Sequence, residues 1–188
     1  MAMPALAPRY WTAAAVRELP DDGNRYECID GELLVTPAPR GGHQAALSEL
    51  FRRVDAYVTP HRLGVLLWSP ADIELEPGSL VQPDLFVARL APGVTKFRNW
   101  TEIVGLELAI EVLSPSTARY DRMVKRRFYQ RAGVTEYWIV DLDARLIERW
   151  RPEDEKPEIV FTTLRWQPSG APEPLMLDVA GFFAAVCD

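Results

Sequence analysis

The sequence contains no long hydrophobic run, although 48% of its 188 residues are hydrophobic. No stretch approaches the roughly 18–20 apolar residues that a membrane-spanning helix needs. Residues 1–8 lack the basic segment and apolar run of a secretory signal. The two cysteines, Cys28 and Cys187, are too few for a disulfide framework and do not have the spacing of metal ligands. We therefore expect two reduced thiols in a cytoplasmic protein that does not enter a membrane.

Signatures of several enzyme classes are also missing. There is no Gly-x-Ser-x-Gly turn of a serine hydrolase and no cysteine–histidine pattern of a zinc site. The Gly41-Gly42 pair is too short for a phosphate-binding loop. These absences exclude three frequent kinds of catalytic centre, so an active site would have to be built from other residues.

Acidic residues outnumber basic ones, and the formal net charge is −6 at pH 7. That balance argues against a protein whose whole surface binds nucleic acid. The charge is uneven, because residues 119–131 contain one acid, Asp121, among six basic residues. The basic residues are Arg119, Arg122, Lys125, Arg126, Arg127 and Arg131. The composition therefore allows a local basic patch beside an acidic site.

The pattern of apolar residues and chain breakers predicts one α/β domain over residues 1–188, with residues 1–10 as a loose arm. Asp30-Gly31 predicts a hairpin, because both central residues of such a turn need positive φ. The predicted helices are 12–19, 43–58 (ended by Pro60), 117–132 and 181–186. The predicted strands are 26–29, 32–36, 65–68, 72–75, 81–88, 105–113, 136–141, 145–150 and 158–164. This order predicts a mixed sheet flanked by helices.

Two carboxylates lie at positions in apolar segments where an acidic residue is unusual. Asp84 follows Pro83 where an apolar strand starts, and Glu111 lies within the apolar run 108–113. A glutamate in a central strand is costly to bury unless a positive charge pairs with it. Asp84 alone fits a turn aspartate, and Glu111 alone fits a buried salt bridge. Together they also fit the ligands of a hard divalent cation.

A third group follows on the next helix. Asp121, Lys125 and Tyr129 are four residues apart and share one helical face. Asp121 and Lys125 would also suit a simple surface ion pair. Because the helix follows the Glu111 strand after a short link, its first turns can instead bring Lys125 to the carboxylates. Two carboxylates, Mg²⁺ or Mn²⁺ and a lysine are what hydrolysis of a phosphodiester requires.

Longer stretches of the sequence follow a family pattern. They are residues 25–33, Gly42-His43, Gln82-Pro83-Asp84, and residues 110–117, 120–125 and 129–141. In these stretches the chain resembles the Uma-type family of restriction endonuclease-like proteins, which is assigned to the PD-(D/E)XK nuclease superfamily. The resemblance covers about residues 10–185.

The resemblance implies a restriction endonuclease-like core in which Asp84 and Glu111 hold Mg²⁺ or Mn²⁺. In the superfamily a lysine usually lies two residues after the glutamate, but Leu113 stands there in this sequence. The family supplies its lysine from the following helix, which corresponds to Lys125. Asp84, Glu111 and Lys125 are therefore the predicted catalytic residues.

Further candidates lie around this set: the resemblance adds Glu27 and His43, and the helix face and the basic run add the others. Glu27 is expected as a further metal ligand, with a solvent-facing strand residue as the alternative. His43 is expected to contact a phosphate or transfer a proton, with a helix-capping role as the alternative. Asp121 and Tyr129 are expected as auxiliary residues. The expected contacts with nucleic-acid phosphates are Arg122, Arg126 and Arg127.

Three functions remain open at this point. The first is a Mg²⁺- or Mn²⁺-dependent endonuclease that acts on DNA, as a homodimer that cuts two strands. The second is a catalytically inactive protein of the same fold that binds nucleic acid or another protein. The third is a structural ion-pair network between Glu111 and Lys125. The presence of both Asp84 and Glu111 favours the first.

Overall fold

A six-stranded mixed sheet forms the centre of the computed structural model, which describes residues 10–37 and 41–188. In chain order the elements are α1 (Ala13–Arg17), β1 (Arg25–Ile29), β2 (Glu32–Thr36), α2 (Gly41–His61), β3 (Val65–Trp68), β4 (Leu85–Leu90), a 3-10 turn (Trp100–Glu102), β5 (Ile103–Val112), α3 (Ala118–Tyr120), a π turn (Asp121–Lys125), α4 (Arg126–Arg131), β6 (Glu136–Asp141), β7 (Leu146–Trp150), β8 (Glu158–Val160), β9 (Thr163–Trp166), β10 (Leu175–Asp178) and α5 (Val179–Cys187). The sheet order is β3-β4-β5-β6-β7-β8. Its neighbours are antiparallel except β5 and β6, which are parallel and joined by α3, the π turn and α4.

The two faces of the sheet are covered by different helices. Leu108, Ile110 and Val112 of β5 contribute to the core that also contains the apolar residues of α2 and α5. Ala109 belongs to the core on the other face, together with apolar residues of α4. Because side chains alternate along a strand, Glu111 shares the face of Ala109. The central glutamate therefore lies beneath the helix that follows its strand.

The predicted hairpin is present and is attached to the segment that leads to Asp84. Asp30 and Gly31 have φ of 52° and 84°, as the two-residue turn requires. Cys28 in β1 exchanges backbone hydrogen bonds of 2.8 and 2.7 Å with Leu80. The predicted arm lies outside the described residues except for Tyr10, whose ring packs over Gly31. The hairpin is thus held where Arg25 and Glu27 can reach the sheet.

The segment between β3 and β4 departs from the prediction. The alternation of residues 72–75 predicts a strand, but in this segment Ile73 forms an isolated bridge with Val81. Pro83, which would face Ala71 at the next position of this register, cannot donate a backbone hydrogen bond, so the ladder does not continue on that side of the bridge. The strand predicted from residue 81 begins at Leu85, and Asp84 lies directly before it.

Other boundaries also differ. The strand predicted at 158–164 is two strands, because the carbonyl of Thr162 accepts from the N–H groups of Val179 and Ala180 where the chain leaves the sheet. The prediction missed β10, which pairs with β9. Helix α2 continues one residue past Pro60, since a proline in a last turn removes few hydrogen bonds. Within the described ranges, no helix is both long and apolar enough to cross a membrane.

Gly31→Ala is expected to destabilise the protein more than Gly23→Ala. Both glycines have φ of +84°, so both variants carry the strain of a left-handed residue, about 1–2 kcal/mol. At Gly31 the added Cβ would also lie within 2.8 Å of three ring atoms of Tyr10, whereas nothing lies within 4 Å at Gly23. Urea unfolding measures the difference, and Tyr10→Ala should abolish it. Equal losses in the two variants would contradict the packing of Tyr10 on the hairpin.

Candidate active site

Asp84 and Glu111 are neighbours across two strands. Leu85 pairs with Ile110 in antiparallel register, which places Asp84 level with Glu111. Side chains opposite each other in such a register have Cβ atoms about 4.5–5.5 Å apart. The backbone N–H of Val112 donates to Asp84 Oδ2 at 2.9 Å and holds this carboxylate at the end of β5. The structure therefore brings the two predicted acids together, and both are buried.

Asp84 has two side-chain partners. Arg25 Nη1 lies 2.6 Å from its Oδ1, and His43 Nε2 lies 2.9 Å from its Oδ2. Burial alone would raise the pKa of Asp84, but the His43 hydrogen bond and the Arg25 charge hold that pKa well below its usual value. Asp84 is therefore ionised at neutral pH. His43 contacts this carboxylate from the first turn of α2, so capping the helix is not its principal contact.

Lys125 lies at the centre of a second cluster. Its Nζ is 2.8 Å from both Glu27 Oε1 and Glu111 Oε1, and 3.9 Å from Asp121 Oδ1. The Tyr129 hydroxyl donates to Glu111 Oε1 at 3.3 Å. All five residues are at most 2% exposed. The solvent-facing alternative for Glu27 and the surface-pair alternative for Asp121 are therefore wrong.

Burial and charge shift the pKa values of this cluster. Burial would lower the pKa of Lys125, but Glu111, Glu27 and Asp121 outweigh it and hold the pKa above its usual value. Burial raises the pKa of Glu111 well above its usual range, despite the lowering effect of Lys125. Burial likewise raises the pKa of Asp121 to about 6. One ammonium thus does not compensate three buried carboxylates.

The whole group has an excess of negative charge. Its four carboxylates belong to Glu27, Asp84, Glu111 and Asp121, and its two permanent cations to Arg25 and Lys125. When all are ionised, two negative charges remain without a partner. Burying unpaired charge is costly, so the site favours binding a proton or a further cation.

One cavity connects these groups. It has a volume of about 760 Å³ and is bordered by the loop from Leu113 to Ala118 and by residues 141–144. All four carboxylates line it, as do Arg25, Lys125 and Arg122. A volume of this size falls within the roughly 300–1,000 Å³ of ligand sites in proteins.

Of the three arginines predicted to contact phosphates, Arg122 alone lines the cavity. Its guanidinium is bound to Glu148 at 2.6 Å and to Asp141 at 2.9 Å. Arg126 lies over the ring of Trp150, with 4.8 Å between its guanidinium carbon and the ring centroid. Arg127 is exposed. The structure therefore does not gather the three into one patch at the cavity.

The donor atoms fit a hard divalent cation. They are carboxylate oxygens, and Glu27 Oε2 is buried with no hydrogen-bond partner among the described residues. Within residues 10–37 and 41–188, no three His, Cys, Asp or Glu side chains form a ready-made metal cage. Mg²⁺ is commonly held by one or two carboxylates together with water and substrate phosphates. Asp84 and Glu111 could hold Mg²⁺ or Mn²⁺ in this way.

Sequence reasoning assigned no role to Arg25. The residue lies within the stretch 25–33, which the family pattern covers, and it precedes Glu27 by two positions. Residues two apart share one face of a strand, so the position of Glu27 already indicated where Arg25 would point. The missing information was its partner, Asp84, which is 59 residues away in sequence.

Comparisons with known proteins identify the family and the fold of the chain. A family model, Uma2, described as "Putative restriction endonuclease", matches residues 13–180. The chain belongs to the Uma2 family. Membership in Uma2 confirms the resemblance seen in the sequence and supports a nuclease function in general terms. No match was found among curated proteins.

The Uma2 chain also has a similar solved structure. This is the 1.96 Å crystal structure of a "putative nuclease belonging to DUF820" from Anabaena variabilis ATCC 29413. The two chains are 22% identical, with a TM-score of 0.74, over 93% of this chain and 98% of the other. The likeness shows a shared fold, which is the restriction endonuclease-like fold predicted from the sequence.

Asp121→Asn is expected to flatten the pH dependence of stability in EDTA. The folded pKa of Asp121, about 6, lies above its ordinary value of 3.8. Between these values the folded protein binds a proton that the unfolded chain has lost, so stability falls as pH rises through this window. Carboxylates with lowered pKa, such as Asp84, lose their contribution at lower pH. Urea unfolding at several pH values measures the slope, and an unchanged slope in the variant would contradict the assignment.

Proposed function

We propose that the protein is a Mg²⁺- or Mn²⁺-dependent endonuclease that hydrolyses DNA phosphodiester bonds. The observation that carries the proposal is the pairing of Asp84 and Glu111 at adjacent strand ends, with the Lys125 ammonium 2.8 Å from Glu111. The Uma2 family description supports the reaction class. The acidic cavity beside this pair is large enough for a nucleotide phosphate.

In this proposal Asp84 and Glu111 hold the cation, and Glu27 offers its unpartnered Oε2. The cation would polarise the scissile phosphate and lower the pKa of the attacking water. Arg25 and the Val112 N–H keep Asp84 in one orientation. The oxygen donors, the excess negative charge and the cavity support this assignment.

Lys125 places a positive charge beside the phosphate. Its ammonium stabilises negative charge that develops during hydrolysis, and Glu27 and Asp121 hold it in position. Tyr129 fixes the orientation of Glu111 by donating to Oε1. Arg122, which already lies at the cavity, is the arginine best placed for contact with a flanking phosphate.

A second candidate is a catalytically inactive protein of this fold. The observation in its favour is that both oxygens of Asp84 already have protein partners. The Lys125–Glu111 contact of 2.8 Å is also the pair that a structural ion-pair network requires. Metal binding and cleavage distinguish these alternatives from the nuclease.

The wild type should cleave supercoiled plasmid or single-stranded DNA with Mg²⁺ or Mn²⁺ and not with EDTA. Asp84→Ala and Glu111→Gln should each lower the cleavage rate by about 100-fold or more, since each removes an interaction with the reacting centre. Gel assays of purified protein measure the rates.

The matched control is Glu107→Gln. Glu107 is a buried glutamate of the same strand as Glu111, and it contacts Arg89 and the N–H of Ser169 rather than the cavity. The Glu107→Gln variant should cleave DNA at the wild-type rate. Metal-independent cleavage, or equal loss in Glu107→Gln and Glu111→Gln, would contradict the assigned site. A folded wild type that cleaves neither DNA favours the inactive protein.

Lys125→Met should separate metal binding from cleavage. The variant keeps the alkyl chain and removes a charge that opposes cation binding, so Mn²⁺ should bind at least as tightly as in the wild type. Cleavage should fall by about 100-fold, because a group that stabilises the transition state is lost. Titration calorimetry and the cleavage assay give the two results. If Lys125→Met is unfolded and metal does not bind to the wild type, the ion-pair network is the better explanation.

A further inference from the structure

A second cavity lies against the first. It has a volume of about 520 Å³ and is bordered by α2, the end of β3 and residues 21–25. Arg25, His43 and Asp84 line both cavities. These three side chains therefore form a common wall, so the second cavity, here called the side cleft, lies directly beside the candidate active site.

The side cleft has an aromatic wall. Trp68 is 56% exposed although it is the last residue of a strand. Phe51 of α2 meets its ring edge to face, with centroids 5.0 Å apart and an interplanar angle of 85°. Leu47 lies beside them. This contact holds the indole in place, and its remaining exposed surface can accept a flat ligand.

Polar side chains surround this apolar surface. Asn24, Gln44 and Ser48 line the cleft and are exposed, so their donors and acceptors can reach a ligand. Arg52 also lines it, and its side chain is 70% exposed and pairs with Glu49. The cleft thus combines an aromatic surface with hydrogen-bonding groups at its border.

We propose that the side cleft binds the base of an unpaired nucleotide adjacent to the scissile phosphate, stacked on Trp68. This inference rests on the proposed function and defines its substrate as single-stranded or locally unpaired nucleic acid. Every base has a flat π surface that stacks on aromatic side chains, and its edges carry hydrogen-bonding groups. A base inside a duplex has both faces covered by its neighbours and has to leave the stack to enter such a cleft.

The position of the cleft selects this occupant. The ligand must combine a flat apolar face with a polar edge, and it must continue into a site whose proposed ligand is a phosphate. An apolar side chain of another protein does not meet these requirements, because it has neither a polar edge nor a phosphate. A nucleotide meets all of them through one covalent structure, with its phosphate near Asp84 and its base near Trp68.

The test compares a short fluorescein-labelled oligothymidylate with an abasic strand of the same length and charge. Wild type, Trp68→Ala, Trp68→Phe and Trp100→Ala are titrated at fixed ionic strength, in EDTA and in Ca²⁺, which takes oxygen ligands as Mg²⁺ does. Trp100 is the matched control, because it is 47% exposed and lies outside the side cleft. Gels establish that the probes stay intact.

The wild type should bind oligothymidylate more tightly than the abasic strand. Trp68→Ala should weaken binding of oligothymidylate by about 5- to 150-fold, the range of one base stacked on an aromatic ring, and leave the abasic strand unchanged. Trp68→Phe should keep part of the preference, and Trp100→Ala should keep all of it. This pattern assigns the loss to the base and not to the phosphates.

The inference is overturned if Trp68→Ala weakens both probes equally or neither, or if the wild type binds neither. It is also overturned if sedimentation shows a wild-type dimer that Trp68→Ala dissociates, because a second copy then covers the cleft. Metal-dependent cleavage with no effect of Trp68→Ala would exclude base binding in the side cleft and leave the nuclease proposal intact. Base-dependent binding through Trp68 without any cleavage would support base binding in the side cleft and contradict the nuclease proposal.

Discussion

The buried ammonium of Lys125 is the interaction on which the candidate site depends. Glu27, Glu111 and Asp121 approach it from the hairpin, the sheet and the π turn. Each buried charge costs several kcal/mol of desolvation unless it is paired, and three carboxylates without a cation would repel one another. Lys125 therefore allows the hairpin, the sheet and the π turn to pack together with their carboxylates in one place. The hairpin, helix and sheet are positioned by the same contacts that would serve catalysis.

Lys125 and Arg25 do not fully compensate the charge of the buried carboxylates. This excess of negative charge connects the stability of the core with the proposed function. After Lys125 and Arg25 are counted, two negative charges of the group have no partner. Burial is the largest cause of the raised pKa values of Glu111 and Asp121, and the neighbouring carboxylates raise both pKa values further. The excess negative charge that is unfavourable in the core is thus also the charge that would attract the proposed divalent cation.

The sequence predicted the acids and the lysine better than their surroundings. Glu111 was recognisable because it contradicts its apolar context, Asp84 because it follows a proline at the start of an apolar strand, and Lys125 because four-residue spacing defines a helix face. Arg25 was missed because alternation gives the face of a residue and not its partner. The register of β4 on β5, which places Asp84 beside Glu111, includes two shifts that strand-length patterns do not reveal. The side cleft was unpredictable for the same reason, since it joins residues 21–25, α2 and β3.

The common wall of the two cavities has a mechanistic consequence. Arg25 and His43 both hold Asp84, and both line the side cleft. A ligand that displaces either side chain would break a direct contact with Asp84 and so change the orientation of this proposed metal ligand. Recognition of a base and assembly of the metal site would then depend on the same three side chains. Because misplacement of a catalytic group by about 1 Å can cost 100-fold in rate, occupancy of the side cleft would change the rate of cleavage at the proposed metal site.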